Sequence, residues 1–597
     1  MINRLLRFSG EFGWFVITTT ALSLTPTLTA DAFTVRSIDG TGNNLSNTDF
    51  GAADTQLLRL TAATYADGIS VPRGGESTLL PSTRAISNAV SAQSDLIPNS
   101  LGASDWFWQW GQFLDHDLDL TPTAEPEEPF NILVPIGDPY FDPGQTGIQE
   151  IALNRSLFDT TTGTDSSNPR QQLNEITAFI DASNVYGSDA IRAAAIRSGR
   201  DGMLMTSTGN NGETLLLLNI DALPNDEGSR SDLSSADFFL AGDVRANEQI
   251  GLTAAHTLFV REHNRLAEDL KQRLDSDEAI LVAKRDEAIA AVGNGIEDED
   301  DFIYETVRKI VGAQMQIITY EEWLPLLLGD DALSPFTGYD DTVNPGIANE
   351  FSTAAFRFGH TMLSPTLLRL NNDGSDAGSL ALQNSFFSPD LVMAEGIDST
   401  LLGLASQAAQ AIDTLVVDDV RNFLFGPPGA GGFDLASLNL QRGRDHGLPS
   451  LNAVRTALGK TAHTSFLDLT AGDVTLAEGF ASVYSHIDDV DLWIGGLAEV
   501  NYGSSLLGET FHTIVSDQFT RLRDGDRFFY LNELDYLLAI DPDLESVTLS
   551  TIISRNSSIS NIQANAFLVS RPVPEPMSGL VMVMFGGLVT LVRRRKP

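Results

Sequence analysis

Apolar residues recur at three- and four-residue steps along much of the chain, and this spacing restricts the possible folds more than any other property of the sequence. Between Gly251 and Leu270 the apolar residues share one face of such a repeat, while charged residues occupy the other faces. Phe302–Thr319 repeats the pattern. Strand signals are few, and Thr214–Ile220 is the best short candidate. The sequence therefore predicts a mainly α protein with very little β-structure.

The body of the chain is long enough for one large hydrophobic core. The chain has 597 residues, of which 42% are hydrophobic, and no linker, repeat or composition shift divides residues 33–571. It contains no cysteine, which excludes thiol catalysis, zinc–thiolate sites, iron–sulfur clusters and thiolate-ligated haem. The formal net charge of -43 would repel phosphate backbones, so we expect no nucleic-acid partner, whereas bound cations are compatible with it.

The first 32 residues predict a secretory signal peptide. Arg4 and Arg7 precede an apolar run that ends near Leu24, and small residues follow at the expected cleavage region. A disordered or buried N-terminal helix is the alternative interpretation. The signal peptide would place the body of the protein outside the cytoplasm.

Residues 572–597 predict a second targeting segment. A Pro-Glu-Pro motif precedes a single apolar helix, shorter than the ~20 residues of a usual bilayer span, and a basic tail follows. This arrangement resembles the PEP-CTERM sorting signal, which exopolysaccharide-producing bacteria recognise and remove during export; a plain membrane anchor is the alternative. Either interpretation predicts an exported protein, extracellular or at the cell surface, that meets the membrane only through this helix and uses the export and sorting machinery.

Trp106–Asp119 is the first segment with chemically informative side chains. Gln112, Asp115, His116 and Asp119 fall within one or two turns of a predicted helix, among three tryptophans that would exclude water. A lone histidine on an apolar helix is usually a hydrogen-bonded core residue. The carboxylates around this histidine make a pure packing role less plausible.

The second segment alternates oxygen-bearing residues. Thr177, Phe179, Asp181 and Ser183 could present two hydroxyls, a backbone carbonyl and a carboxylate to a hard cation, because calcium binds several oxygens, including those of the main chain. A half-buried strand or turn shows the same alternation. A calcium site is therefore one of two interpretations at this stage.

Three further segments combine arginine with acidic, amide or histidine side chains. Asp243–Gln249 precedes one of the predicted helices, and Arg357 and His360 lie three residues apart on one predicted helical face. Leu438–Gly447 is dense in arginine and aspartate, which by itself would equally suit a buried cluster of salt bridges.

These five segments, in this order, resemble the animal-type haem peroxidase family, whose members include myeloperoxidase, lactoperoxidase, thyroid peroxidase and peroxidasin. The resemblance extends from Arg36–Asn44 to Asn561–Gln563, nearly the whole exported body, and it includes Asp524–Tyr530. Five motifs in the family's order are far more specific than any one of them. The resemblance implies a single large helical domain with haem b buried between core helices. It also implies that hydrogen peroxide is reduced and that halide, thiocyanate or phenolic donors are oxidised through a ferryl intermediate.

The resemblance assigns roles on both sides of the haem. His116 would be the distal acid–base histidine, Gln112 its neighbour over the iron, and Arg245 the residue that stabilises charge as the O–O bond breaks. His360 would be the proximal iron ligand, and Asn439 would accept the hydrogen bond from its other ring N–H.

Other residues would contact the rim of the haem or bind calcium. Arg442 would pair with a haem propionate, and Arg357 would lie beside the proximal pocket. Asp115 and Glu248 match the two carboxylates that become esters to haem methyl groups in this family. Gln249 stands where myeloperoxidase has a methionine bonded to a haem vinyl group, so at most two covalent links are expected. The implied calcium ligands are Asp117, Thr177, Phe179, Asp181 and Ser183.

Three alternatives concern the activity itself. The related fatty-acid oxygenases have a radical-forming tyrosine three residues before the proximal histidine, and Arg357 at that position argues against lipid dioxygenation. A non-catalytic, calcium-stabilised surface or biofilm-matrix protein would have no need for the complete set of haem-side residues. An oxidative cross-linker of extracellular matrix polymers differs from the leading hypothesis only in its donor. The physiological donor and the oligomeric state stay open.

Overall fold

The computed structural model describes residues 33–74, 80–228, 230, 232–330 and 332–570. The predictions for residues 1–32 and 572–597 fall on parts of the chain outside these ranges. Within the described ranges, no helix is both long and apolar enough to cross a membrane.

The described chain is mainly helical, which confirms the predicted fold class. The α-helices of its first half are α1 Thr83–Val90, α2 Trp106–Leu118, α3 Ser183–Tyr186, α4 Ala190–Ile196, α5 Ile250–Asp275, α6 Ala279–Ala290, α7 Glu299–Ile317, α8 Leu324–Leu328 and α9 Asn349–Thr353. Those of its second half are α10 Pro389–Glu395, α11 Asp398–Ser406, α12 Asp418–Arg421, α13 Leu435–Asp445, α14 Leu451–Ala457, α15 Phe466–Leu469, α16 Val474–Val483, α17 Leu492–Ala498, α18 Glu509–Asp524, α19 Leu534–Leu538 and α20 Leu549–Asn556.

The β-structure consists of short antiparallel strands at the periphery. The strands are β1 Thr55–Gln56, β2 Ile132–Leu133, β3 Glu150–Ile151, β4 Leu173–Asn174, β5 Thr206–Thr208, β6 Thr214–Leu218, β7 Phe239–Leu240, β8 Thr366–Leu367 and β9 Leu380–Ala381. They form the pairs β1–β4, β2–β3 and β8–β9 and the three-stranded sheet β5–β6–β7. The predicted strand at residues 214–220 corresponds to β6, the longest of them.

Helix α5 lies at the centre of the core. It packs against α2, α7, α11 and α20, and its apolar positions at three- and four-residue steps are buried in those contacts. The side chain of Gln249 caps its first turn by accepting a hydrogen bond of 2.6 Å from the backbone N–H of Gly251. The helix predicted over residues 251–270 is confirmed and extends five residues further at its C-terminal end.

Helix α7 begins and ends in different ways. Asp298 caps its N-terminus by accepting from the backbone N–H of Asp301, and the acidic first turn lies at the positive end of the helix dipole. After Ile317 the helix widens into a π-helical turn over Ile318–Trp323, which leads into α8. The apolar repeat predicted the helix but not this wider turn. A π-helical turn contains one residue more than an α-helical turn, so it shifts the spacing of the apolar positions.

The segment that contains His360 is a 3-10 helix, Ala355–Thr361. Residues three apart eclipse one another in a 3-10 helix, so Arg357 and His360 share a face, as the sequence predicted. This helix packs against α2, α13, α17 and α18. The packing brings the histidine-bearing segments of α2 and of the 3-10 helix to one part of the core.

Candidate active site

A cavity of about 310 Å³ lies between α2, the 3-10 helix and α13. Its volume lies at the lower end of the ~300–1,000 Å³ range of small-molecule pockets, and its apolar wall consists mainly of leucine, valine and phenylalanine. Of the nine residues predicted to act beside the haem, all except Arg245 contribute to its wall. The eight are Gln112, Asp115, His116, Glu248, Arg357, His360, Asn439 and Arg442.

His116 lies on α2 with only 4% of its surface exposed. Its Nδ1 has no hydrogen-bond partner among the described residues and lies 3.6 Å from Oδ1 of Asp243. Burial, and then the positive charge of Arg245, lowers the pKa of His116 well below its ordinary value. The imidazole is therefore neutral near pH 7 and free to accept a proton.

Arg245 stands behind the cavity wall and is fixed by Asp243. The Asp243 carboxylate accepts from Nε and Nη2 of Arg245, each at 2.9 Å, and from its backbone N–H at 2.8 Å. Nη2 also donates to the backbone carbonyl of Asp119 at 3.0 Å, and Nη1 lies 3.8 Å from Oδ2 of Asp115. Burial raises the pKa of Asp243, but the charge of Arg245, a smaller effect of His116 and the hydrogen bonds from Arg245 together outweigh burial and hold the pKa far below its ordinary value.

Asp243 is a site residue that the sequence analysis did not assign. It contacts Arg245 and approaches His116, so it links the two predicted distal residues. The spacing in the sequence could have suggested this role, because a carboxylate two residues before an arginine can fold back and contact its guanidinium.

Gln112 joins α2 to the start of α5. Its Oε1 accepts from Nε2 of Gln249 at 3.1 Å and from Nε2 of Gln109 at 3.2 Å. Gln249 is the residue that caps α5, so the predicted neighbour of His116 is held by the same side chain that begins the central helix.

His360 meets Asn439 across the cavity wall. The amide Nδ2 of Asn439 lies 2.7 Å from Nδ1 of His360, while Oδ1 accepts from Nη1 of Arg357 at 3.3 Å. The sequence predicted that Asn439 would accept from the ring, which needs the amide oxygen at that position. A half-turn of the amide exchanges the two atoms, so the partner of Arg357 decides which of them faces the ring. Burial, and then Arg357, lowers the pKa of His360 to about 3, so the ring is neutral.

The two arginines of the cavity wall differ in their partners. Arg442 donates from Nη1 to Ser156 Oγ at 2.9 Å and pairs with Asp445 at 3.0 Å. Arg357 donates from Nε to the backbone carbonyl of Ser352 at 2.9 Å and has no salt bridge among the described residues. Burial lowers the pKa of Arg357, so an anion in the cavity would be favoured beside it.

Asp115 and Glu248 are the two acidic residues of the cavity wall. Burial, and then the charge of Asp119, raises the pKa of Asp115 well above its ordinary value. Burial, and then Asp226, raises the pKa of Glu248 to about 7. Asp119 itself is buried and accepts the hydroxyl of Ser352, a contact that the sequence analysis did not identify.

The predicted calcium ligands converge beside α2. Asp117 is fully buried, and its Oδ2 accepts from the backbone N–H groups of Asp181 and Ala182, each at 3.1 Å. Its Oδ1 accepts from Ser183 Oγ at 2.9 Å. Burial, and then the charge of Asp181, raises the pKa of Asp117 to about 8.

Asp181 completes this cluster. Its Oδ1 accepts from Thr177 Oγ1 at 3.1 Å, while its buried Oδ2 has no hydrogen-bond partner among the described residues and lies 3.9 Å from Nε of Arg36. Ala182, between Asp181 and Ser183, has a left-handed φ of 62°, a conformation that non-glycine residues adopt under constraint. Two buried carboxylates with a free oxygen are what a cation would stabilise.

The chain resembles haem peroxidases in sequence and in structure. A profile of the family described as animal haem peroxidase matches residues 35–567. The chain is 34% identical to the peroxidasin homolog pxn-1 of Caenorhabditis elegans, over 89% of this chain and 43% of that protein. It is 34% identical to peroxinectin A of Dictyostelium discoideum, over 89% of this chain and 95% of that protein. The solved structure of peroxidase A from Dictyostelium discoideum superposes with a TM-score of 0.80 at 31% identity, over 90% of this chain and 100% of that chain. This chain spans less than half the length of the peroxidasins that it matches.

Proposed function

Because the chain belongs to the animal haem peroxidase family, we propose that it is a haem-dependent peroxidase that reduces hydrogen peroxide and oxidises small anions or phenols. The observation that carries this proposal is the pair of neutral histidines, His116 and His360, on the wall of one cavity. One histidine would serve acid–base chemistry and the other would bind iron.

The cavity fits a haem in three respects. Its wall of leucine, valine and phenylalanine suits an apolar macrocycle. Neutral His360 is an iron ligand of the kind that haem proteins use. Arg357, which lacks an anionic partner, is available to a propionate, and that contact would release the Asn439 oxygen to accept from Nδ1 of His360. Arg442 would contact the second propionate through its remaining N–H groups.

When bound, the haem would supply the two electrons that cleave the peroxide O–O bond, one from the iron and one from the porphyrin. With Nδ1 of His116 directed toward Asp243, its Nε2 is the atom that would take the peroxide proton and return it to the leaving oxygen. Arg245, fixed by Asp243, would stabilise the negative charge that develops during cleavage. Gln112 would orient the peroxide by hydrogen bonding.

Asp115 and Glu248 are proposed to form ester links to the haem. Both line the cavity, and burial raises the pKa of each carboxyl group, to about 7 for Glu248. Gln249 lies in the same wall and has no sulfur, so no sulfonium link is available there.

A calcium ion is proposed at the cluster of Asp117 and Asp181. The hydroxyls of Thr177 and Ser183 already contact these carboxylates, and Phe179 would contribute its carbonyl oxygen. Because Asp117 follows His116 directly on α2, the ion would fix the position of the distal histidine.

The test is the absorption spectrum of the full chain purified with haem. We expect a Soret band that hydrogen peroxide shifts and that bromide, iodide, thiocyanate or a phenol restores. His360→Ala should lose haem, whereas His116→Ala should keep haem and lose the rapid shift. His486→Ala, which changes an exposed histidine, is the matched control and should behave as the wild type. A protein without a Soret band, or with a band that peroxide leaves unmoved, would contradict the proposal.

Two further aspects stay proposals. Export to the extracellular space or cell surface follows from the signal peptide predicted in the first 32 residues, and N-terminal sequencing of the secreted protein tests it. Cross-linking of matrix polymers is the second candidate activity, and it gains support from the separate pocket described next.

A further inference from the structure

A second pocket of about 250 Å³ lies beside the π-helical turn and shares no wall residue with the haem cavity. Its wall includes Tyr320, Phe336, Arg523, Phe529 and Tyr530. The pocket is thus rich in aromatic rings and contains two phenols.

A continuous series of rings begins at the wall of the haem cavity. Phe356 and Phe358 belong to that wall, and the ring of Trp323 lies 6.0 Å from the first and 6.4 Å from the second, centroid to centroid. Phe519 lies 6.1 Å from Trp323 and 6.1 Å from Tyr320. Trp323 is fully buried, so this part of the series is shielded from water.

The series ends in the second pocket. The ring of Phe529 lies 5.2 Å from that of Tyr320 and 4.8 Å from that of Tyr530. Aromatic clusters usually contribute only to packing. Here, however, the oxidisable rings of Trp323, Tyr320 and Tyr530 occur in order between two pockets, each separated from the next by one phenylalanine. Electron transfer over several short steps between such rings is much faster than one long step, because the rate falls exponentially with distance.

Tyr530 also has a proton acceptor. Its hydroxyl donates to Oε1 of Glu321 at 3.2 Å, and Glu321 is exposed to solvent. A phenol that loses an electron becomes strongly acidic, so a carboxylate at hydrogen-bond distance can take the proton in the same step. Burial, and then the charge of Glu321, raises the pKa of Tyr530, which keeps the phenol protonated until it is oxidised.

The wall of the pocket also carries a positive charge. Arg523 is 6% exposed; its Nε donates to Asp524 at 2.7 Å and its Nη1 to the backbone carbonyl of Ser334 at 2.7 Å. The guanidinium carbon lies 5.6 Å from the ring centroid of Phe336, another residue of the same wall. This charge would favour the oxygen of a bound phenol, while the phenol ring packs on Phe336.

We propose that Tyr530 is a second oxidation site, at which phenols too large for the haem cavity give up electrons that travel through Tyr320 and Trp323 to the haem. This inference rests on the proposed peroxidase function, which supplies the oxidant. Each phenol loses one electron and one proton; the electron restores the oxidised Tyr530, and Glu321 returns the proton of Tyr530. Two phenols and one hydrogen peroxide therefore yield two phenoxyl radicals and two waters.

The primary test is the haem-loaded full chain treated with peroxide in the presence of a nitroso spin trap. Peptide mapping by mass spectrometry should locate the adduct at Tyr530 in the wild type. Tyr530→Phe should lose this adduct, because phenylalanine is far harder to oxidise than tyrosine. Tyr502→Phe is the matched control, since Tyr502 is an exposed tyrosine outside the series, and it should leave the adduct unchanged.

Turnover of two donors separates this inference from the proposed function. Iodide enters the haem cavity, so Tyr530→Phe should oxidise it at the wild-type rate. Oxidation of a phenol tethered to dextran should be lost in Tyr530→Phe and in Tyr320→Phe. Glu321→Gln should lower the kcat for this tethered phenol. Arg523→Gln should raise the KM for the tethered phenol and leave its kcat unchanged.

The outcomes are distinguishable. Normal iodide turnover together with unchanged oxidation of the tethered phenol in Tyr530→Phe would overturn the second site and leave the peroxidase function intact. An adduct that maps to Tyr502 and not to Tyr530 would also overturn it. A wild-type protein that oxidises neither iodide nor a small phenol with peroxide would instead refute the proposed function itself.

Discussion

Replacement of Asp243 by asparagine isolates the electrostatic part of the distal site. Asparagine keeps the shape of the side chain and one acceptor, but it leaves Arg245 without the carboxylate that now accepts from both Nε and Nη2. Breaking a buried ion pair costs about 3–5 kcal/mol. We expect about 2–3 kcal/mol here, because asparagine retains one hydrogen bond and Asp115 lies 3.8 Å from the guanidinium.

The pH dependence of this loss follows from the depressed pKa of Asp243. The carboxylate stabilises the fold fully above its unfolded pKa of about 3.9, and the contribution is lost as the pH falls through the folded pKa. In urea unfolding, the free energy of unfolding of Asp243→Asn should therefore lie below that of the wild type by the full amount at pH 7, and this difference should decrease below about pH 4. No difference in the free energy of unfolding at pH 7, or a difference that is equally large in acid, would refute the reasoning.

The same variant should slow the reaction with peroxide. Removing a preorganised group that stabilises developing charge typically lowers the rate by ~10²–10³. Because Arg245 is still present in Asp243→Asn but is no longer fixed, we expect a loss of about 10- to 100-fold in the stopped-flow shift of the Soret band. Asp491→Asn is the control, since it removes the carboxylate of another buried bidentate pair, with Arg444. It should destabilise the protein to a similar degree without slowing the peroxide step.

Three further predictions concern the bound groups and the charge of the surface. Calcium removal by a chelator, or Asp181→Asn, should slow the peroxide-induced Soret shift, and unchanged kinetics after verified removal would contradict the proposed coupling to His116. After peroxide treatment, acidic acetone should extract haem only from the double variant Asp115→Asn/Glu248→Gln, and free extraction from the wild type would exclude the esters. Iodide turnover should increase with ionic strength, because salt screens the repulsion by the acidic surface, whereas turnover of a neutral phenol should not change.

The helical part of the fold could be predicted from the sequence because the pattern that indicates a helix is local. The apolar repeat of α5 and α7 is complete within each segment, so it predicted both helices. The π-helical turn after Ile317 was not accessible, because it depends on how that segment packs and not on its own pattern. The 3-10 form of residues 355–361 was missed for the same reason.

The candidate site could be predicted only from the family resemblance. The single segments left core packing, a turn or a salt-bridge cluster equally open, since nothing in one segment shows that Asp117 meets Asp181. The contacts of Asp119 with Ser352 and of Asn439 with Arg357 join residues more than 80 positions apart, so no local pattern could predict them. Asp243 lay within a segment that was singled out, and its role became visible only with the geometry of Arg245.

Asp115, His116 and Asp117 are consecutive on α2, yet the first two belong to the cavity wall and the third to the cluster with Asp181. One residue corresponds to about 100° of rotation on an α-helix, so a single insertion or deletion before this turn would displace all three at once. A change of length here would therefore disturb the cavity and the carboxylate cluster together. Grafting this arrangement onto another scaffold would require the whole helical turn together with the loop at residues 177–183.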